Sequence, residues 1–407
     1  MKKMTFIHAA DLHLDSPMLG LRHLPQTIFQ RLKESTFRSF SKIIDAAIQH
    51  EVDFIILAGD LFDGEDRSIR AQTRFRKQIE RLAQYQIPVF IVHGNHDHLS
   101  GKWANIPLPT NAYVFSSKFE RQMFINKEKV TAALYGFSYS HRHITERRID
   151  DYNKQGEADY HIGILHGNFE GSNEHGNYAP FTLADLYEKE FDYWALGHIH
   201  KRAVLSEEPP IIYPGNIQGR HRKETGEKGC YLVTMSETDK NLEFIPTGDC
   251  VWQEIEVDGS SAQTISDLYQ LCLKEIDSIR REGIGTLLTL KLVGVNLSAQ
   301  ENDHLSSGEL LESLQCEEEE DERSFVWLVD LIIEENQNYD RIQLMKQADF
   351  FEELFQAVDT YEHFDESLAP LYQHNTVRKY ISRLQEDELN QLVCEAESLL
   401  VKLLKKE

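Results

Sequence analysis

Short apolar runs recur along the first 250 residues at intervals that suit buried strands. They are Thr5–Ala10, Phe54–Ala58, Val89–His93, Ala132–Phe137, His161–Leu165, Tyr193–Leu196 and Tyr231–Thr234. Between the first three, Gln26–His50 and Ser68–Tyr85 place apolar residues at three- and four-residue spacing, the period of an amphipathic helix. This alternation predicts an α/β domain over residues 1–250, with mixed sheets flanked by helices. In such sheets, ligands sit at the loops leaving the carboxyl ends of strands. From Val251 the texture changes. Trp252–Val257 alternates like a strand, Asp258-Gly259-Ser260-Ser261 reads as a turn and helix start, Thr264–Arg281 as a helix and Leu287–Val293 as another strand. These predict a small α+β domain over 251–330. Ile342–Val358 and, beyond an interruption at Pro370, Val377–Leu404 each carry apolar residues on one helical face, predicting a helical region over 331–407. Such stripes suit packing on the chain's own body or docking to another protein's helices.

Charge sharpens this division. The net charge is -24, from 43 Lys+Arg and 67 Asp+Glu, but residues 1–250 carry only -3 of it and residues 251–407 carry -21. So acidic a region repels nucleic acid, so a partner or bound cations would have to help if the chain acts on DNA. The run Glu317-Glu318-Glu319-Glu320-Asp321-Glu322 reads as a solvated loop or helix start. No apolar stretch approaches membrane-spanning length, and the opening Met1-Lys2-Lys3-Met4-Thr5-Phe6-Ile7-His8 lacks the long apolar core of a signal peptide. A cytoplasmic protein is expected. Five scattered cysteines, never at C-x-x-C spacing, point to buried inert residues, not disulfides or a thiolate metal site.

Of the 18 histidines, 15 fall in the first 250 residues. Five short motifs occur there in order, each after a strand-like run: Asp11-Leu12-His13, Gly59-Asp60-Leu61-Phe62-Asp63, Gly94-Asn95-His96-Asp97, His166-Gly167 and Gly197-His198-Ile199-His200. Each alone is weak; all five in order at strand ends are a strong sign of a metal centre. Oxygen and nitrogen donors without thiolate favour Mn, Fe or Zn. Asp60 is the candidate bridge, since a carboxylate can hold two cations. With Asp11 and Asp60 as the charged ligands, and His13, Asn95, His166, His198 and His200 as neutral ones, two divalent cations would leave a site of about +2, suited to a phosphodiester. His96 is the candidate general acid, with Asp63 placed to keep it protonated. His8 and His93 read as core or supporting residues, and His98, His141, His143 and His175 as loop residues. Arg220-His221-Arg222 would either touch a phosphate or form a plain surface loop.

This ordered set resembles the calcineurin-like metallophosphoesterase superfamily. Ile7-His8-x-x-Asp11-x-His13-Leu14, Gly59-Asp60-Leu61-Phe62-Asp63 and Gly94-Asn95-His96-Asp97 are similar to SbcD-type DNA repair exonucleases. Tyr213-Pro214-Gly215-Asn216-Ile217-Gln218-Gly219-Arg220 adds a likeness to the bacterial YhaO group within them. The resemblance implies a metallophosphoesterase sandwich with a small capping domain and C-terminal helices. It implies that one manganese ion takes Asp11, His13, Asp60 and His200, and a second takes Asp60, Asn95, His166 and His198. It further implies exonuclease or endonuclease activity on DNA in repair, an SbcC-like coiled-coil ATPase as partner, and compatibility with a homodimer. The chain has no G-x-x-x-x-G-K-[ST] sequence, so ATP hydrolysis would belong to that partner. Nucleotide or phosphoprotein hydrolysis, and a DNA-associated scaffold with little catalysis, are the alternatives. The chain departs from the pattern at Asp15-Ser16-Pro17, where many SbcD-type proteins have glycine.

Overall fold

The computed structural model describes all residues except 1, 19, 65–67, 102, 103, 105, 171–177, 299, 300, 302–304, 306, 307, 319–322, 336–339, 375–383, 385, 406 and 407. The chain divides into two compact units. The first comprises residues 1–255, 272–290 and 308–331; the second comprises 256–271, 291–307 and 332–407.

The first unit is built on two six-stranded mixed sheets. One has the order β12-β11-β1-β2-β3-β4, formed by β1 (Lys3–Ala9), β2 (Phe54–Ala58), β3 (Val89–Val92), β4 (Ala112–Val114), β11 (Gly229–Ser236) and β12 (Lys240–Pro246). The other has the order β5-β6-β7-β8-β10-β9, formed by β5 (Glu120–Ile125), β6 (Thr131–Gly136), β7 (Tyr160–His166), β8 (Tyr193–Gly197), β9 (Ala203–Glu207) and β10 (Pro210–Tyr213). The central strands β1, β2 and β3 run parallel, as do β6, β7 and β8. Parallel strands so placed are covered on both faces and read as continuous apolar runs. Phe54-Ile55-Ile56-Leu57-Ala58 is wholly buried for that reason.

Alternate residues of each strand feed different cores. Phe6, Phe54, Ile56 and Phe90 meet Ile162, Ile164 and Tyr193 between the sheets. Ile7, Ile55, Leu57 and Ile91 point the other way and pack on α1 (Gln26–Gln49) and α2 (Ile69–Gln84) through Phe40, Ile44, Phe75 and Ile79. The outer face of the second sheet is covered by Tyr139, Ile149, Tyr152 and α3 (Leu183–Glu188) around Trp194. The result is the expected α/β sandwich: two sheets between flanking helices. Strand bounds differ from expectation by at most two residues, and Phe54–Ala58 matches at both ends. β4, β5, β9, β10 and β12 went unanticipated, because they are short or half-exposed and lack a long apolar run.

A third sheet is formed by β13 (Cys250–Asp258), β14 (Gly285–Val295) and β15 (Val326–Glu335), and α4 (Ile265–Ser278) lies between β13 and β14 in the chain. Within the first unit, α5 (Glu309–Glu317) ends where the acidic run begins. Glu317 therefore closes a helix instead of starting one, and Glu318 pairs with Arg280 at 2.7 Å; the rest of the run lies outside the described residues.

In the second unit, the helix expected over Ile342–Val358 is two: α6 (Arg341–Met345) and α7 (Asp349–Asp359). Ala348 is extended between them, and Asp349 and Glu352 favour a fresh helix start there. Pro370 does not interrupt; it lies inside α8 (Phe364–Gln373). The last helix, α9, runs Glu386–Lys405, and residues 377–383 of the expected helix lie outside the described ones. Leu344, Phe355 and Val401 form this unit's buried cluster. Cys230, Cys250 and Cys272 are buried as expected, but Cys316 and Cys394 are exposed. Among the described residues, no helix is long and apolar enough to cross a membrane.

Candidate metal centre

The motif residues meet at the carboxyl ends of β1, β2, β3, β7 and β8. Beyond β1 and β2 the chain runs as two paired loops: Asp11 N–H donates to Gly59 O at 3.1 Å, His13 N–H to Asp60 O at 3.0 Å and Leu14 N–H to Leu61 O at 2.9 Å. Asp11, His13, Asp60 and His198 all have positive φ (51°, 42°, 50° and 101°). Each such backbone costs on the order of 1–3 kcal/mol and persists only where neighbours enforce it. Asp15 is also left-handed, at φ 67°, a conformation glycine adopts at least cost. Its carboxylate accepts from Ser68 Oγ at 2.6 Å, and Ser68 caps α2.

All seven predicted ligands converge. Asp11, His13 and His200 offer donor atoms within 4.8 Å of one another, as do Asp60, His166 and His198. Asn95 joins the second group, its Oδ1 standing 3.1 Å from His166 Nε2 and 3.2 Å from His198 Nδ1. Asp60 stands between the groups, with Oδ2 3.4 Å from His166 Nε2 and 3.9 Å from His13 Nε2.

The hydrogen bonds behind these ligands test whether cations fit. His200 Nδ1 bonds Glu224 Oε1 at 2.7 Å, and His13 Nδ1 lies 3.5 Å from Asp63 Oδ1. Glu224 fixes the His200 proton on Nδ1 and turns its Nε2 lone pair toward His13 Nε2, 3.0 Å away. His166 repeats the pattern: Nδ1 donates to Ala58 O at 2.9 Å, leaving Nε2 toward Asn95 Oδ1 and Asp60 Oδ2. Groups of acceptors facing one another call for a shared cation. Without one, a proton takes the place: burial disfavours charge on His166, but Asp60 and Asp11 lift its pKa to about 9. Burial alone would raise Asp60, yet the surrounding histidines hold it well below the usual carboxylate range. Burial and the Arg220 charge push His13 down to about 3.

Close packing shapes the second group. A Cβ on Gly59, whose φ is +96°, would fall 2.1 Å from His166 Nδ1. One on Gly94 would fall 2.3 Å from Asp60 Oδ1 and 2.6 Å from His166 Nε2.

His13, Asp63 and His96 form a third cluster. Both imidazole Nδ1 atoms point at one oxygen, Asp63 Oδ1, at 3.5 and 3.4 Å. That sets one carboxylate behind two imidazoles, at ion-pair distance from each. Burial opposes a charge on His96, but Asp63 and Asp60 keep its pKa above the ordinary value. His96 N–H also donates to Asp60 Oδ1 at 2.9 Å.

His8 belongs to the core, bonded to Tyr193 OH and Leu196 O, and burial takes its pKa to about 3. His93 bonds Asp97 at 2.7 Å. His98 is a buried loop residue, His141 and His143 are exposed, and His175 lies outside the described residues. Two supporting residues escaped the sequence reading. Asp97, inside a quoted motif, accepts from Leu61 N–H (3.0 Å) and Gly94 N–H (2.7 Å), locking two ligand loops together. Glu224 had no local signal, being 24 positions from the histidine it holds. Arg220 lies in the site, not on a plain surface loop.

Residues 4–202 match the family described as calcineurin-like phosphoesterase. The "Uncharacterized metallophosphoesterase YhaO" of Bacillus subtilis (strain 168) is 42% identical over 99% of this chain and 98% of its own length. The "DNA double-strand break repair protein Mre11" of Sulfurisphaera tokodaii is 28% identical over 58% of this chain and 61% of its own length. Among solved structures, a dimetal phosphatase from Danio rerio covers 60% of this chain and 96% of its own, with TM-score 0.36 and 12% identity.

Proposed function

Because the chain belongs to the calcineurin-like metallophosphoesterase family, we propose that it hydrolyses phosphodiester bonds of DNA, as an exonuclease or endonuclease in repair. The carrying observation is the convergence of seven neutral or anionic donors into two groups sharing Asp60. Relatives bearing a DNA double-strand break repair name favour DNA as the substrate. Asp11, His13, Asp60 and His200 would hold one divalent cation, and Asp60, Asn95, His166 and His198 the other, with Mn²⁺ the metal proposed. When bound, the pair supplies Lewis acidity toward a phosphodiester.

The remaining roles belong to the chain. Asp60 sets its charge between the two donor groups and fixes the loop of His96 through its N–H. His96, held at Nδ1 by Asp63, keeps a proton at Nε2 for the leaving sugar oxygen. The fold excludes much of the water, since every proposed ligand but His200 is buried. An SbcC-like coiled-coil ATPase is the proposed partner. Supporting it are the strongly acidic region after residue 250 and the exposed Leu392, Leu399 and Leu403 on α9.

Incubation with Mn²⁺ and linear double-stranded DNA should yield cleavage. His96→Ala should lose ~10²–10⁴-fold in rate while binding the same number of cations. Absence of cleavage, or a variant as fast as the natural chain, overturns the reading. A second reading, hydrolysis of nucleotides or phosphoproteins, is favoured by the net charge of -24, which disfavours a polyanion. Turnover of bis-p-nitrophenyl phosphate, cyclic nucleotides and a phosphopeptide, set beside DNA, separates the two.

A further inference from the structure

Two carboxylates stand behind the His13/His200 side of the site. Asp63 faces the Nδ1 atoms of His13 and His96. Glu224 faces His200 Nδ1 and, with its other oxygen, accepts from Asn216 Nδ2 at 2.8 Å and Arg220 N–H at 2.7 Å. These carboxylates belong to loops some 160 positions apart in the chain. One side chain reaches both. Arg220 Nη1 lies 3.4 Å from Asp63 Oδ2, and its Nη2 lies 3.7 Å from Glu224 Oε1 and 3.4 Å from His200 Nδ1. The guanidinium is largely buried, and its Nε–H has no hydrogen-bond partner. A buried guanidinium with an unbonded N–H is costly to hold. Its rigid planar fork meets both anions at once, a geometry that a compact ammonium on a flexible stem matches less well.

We propose that Arg220 is a positioning residue that aligns Asp63 and Glu224, and thereby sets how firmly the His13/His200 half of the site holds its cation. The other half is held mainly by separate contacts: Ala58 O and the close backbone at Gly59 and Gly94 fix His166, and the two halves meet at Asp60. The effect is therefore one-sided. This rests on the two-cation site but not on the identity of the substrate.

Mn²⁺ titration of the full chain without DNA, followed by calorimetry and by electron paramagnetic resonance, tests it. The natural chain should bind two ions with a spin-coupled spectrum. Arg220→Met should keep one at unchanged affinity and weaken the other ~10–100-fold, the usual consequence of removing a ligand's support, so that one equivalent gives an uncoupled spectrum. Arg220→Lys should recover part of the loss. If Arg220→Met binds two ions as tightly as the natural chain, or loses both alike, the proposal fails. A natural chain that binds fewer than two ions would instead overturn the two-cation site, and two ions without DNA cleavage would overturn only the nuclease reading.

Discussion

The two halves of the site are built by different means. The His166 half is made by the fold: its ligands are buried, its imidazole is wedged against backbone at Gly59 and Gly94, and its proton goes to a main-chain carbonyl. The His13/His200 half is made by side chains: Glu224, Asp63 and Arg220 stand behind it, and His200 remains about one-fifth exposed. The first half exists once the sheets close. The second depends on the loop from Tyr213 to Lys228, which pins His200 through its backbone oxygen, by Asn216 N–H and Lys228 Nζ at 3.2 Å each, and through its ring. Rigidity should therefore fall, and tunability rise, from one half to the other.

The comparison breaks most completely at Gly94. An alanine there has no space, because its Cβ would overlap Asp60 Oδ1 and His166 Nε2 together. Activity should fall by ~10³-fold or more, since displacement by an ångström of a catalytic group costs ~10²-fold and two ligands move here. Stability should drop by ~1–3 kcal/mol from overpacking. Cation titration and denaturant unfolding measure both. Full activity in Gly94→Ala would mean that the buried half is not rigid.

Glu224 is the matching probe of the other half, with a smaller effect. Glu224→Gln keeps the shape but removes the charge that orients His200, and one cation should bind ~10–100-fold more weakly. The second should be untouched, as read by two-step titration. Equal weakening of both would dissolve the distinction between the halves.

That contrast also explains what the sequence revealed. Asp11 and His13, Asp60 and Asp63, Asn95 and His96, and His198 and His200 each lie within four residues on a loop leaving a buried strand. A local pattern thus carried them, and the central strands around them read as continuous apolar runs. Glu224 and Arg220 act through contacts with no local periodicity, the first 24 positions from its partner and the second reaching back to Asp63. The edge strands were hidden for a similar reason. Lys240–Pro246 has no fully buried residue, and Asn241 and Glu243 interrupt its apolar positions, so it offers no continuous apolar run. The second unit was least legible. Ala348 and Pro370 mark a break and a non-break that propensity alone reverses.

The smallest expected effect concerns protons. His96 as leaving-group acid must be protonated, so activity should decline as pH rises through its pKa. Burial pulls that pKa down, but the Asp63 hydrogen bond and the charges of Asp60 and Asp63 raise it above the ordinary histidine value. Asp63→Asn removes the nearer negative charge while leaving an amide oxygen to face Nδ1. The alkaline limb of the rate profile should then move to lower pH, with the acidic limb in place. Because Asp63 also faces His13, the same variant should weaken one cation slightly, so the profile has to be taken with Mn²⁺ in excess. A limb that stays where it was, or moves to higher pH, would assign the alkaline titration to another group. The side-chain-built half would then lose its claim to hold the acid as well as a metal.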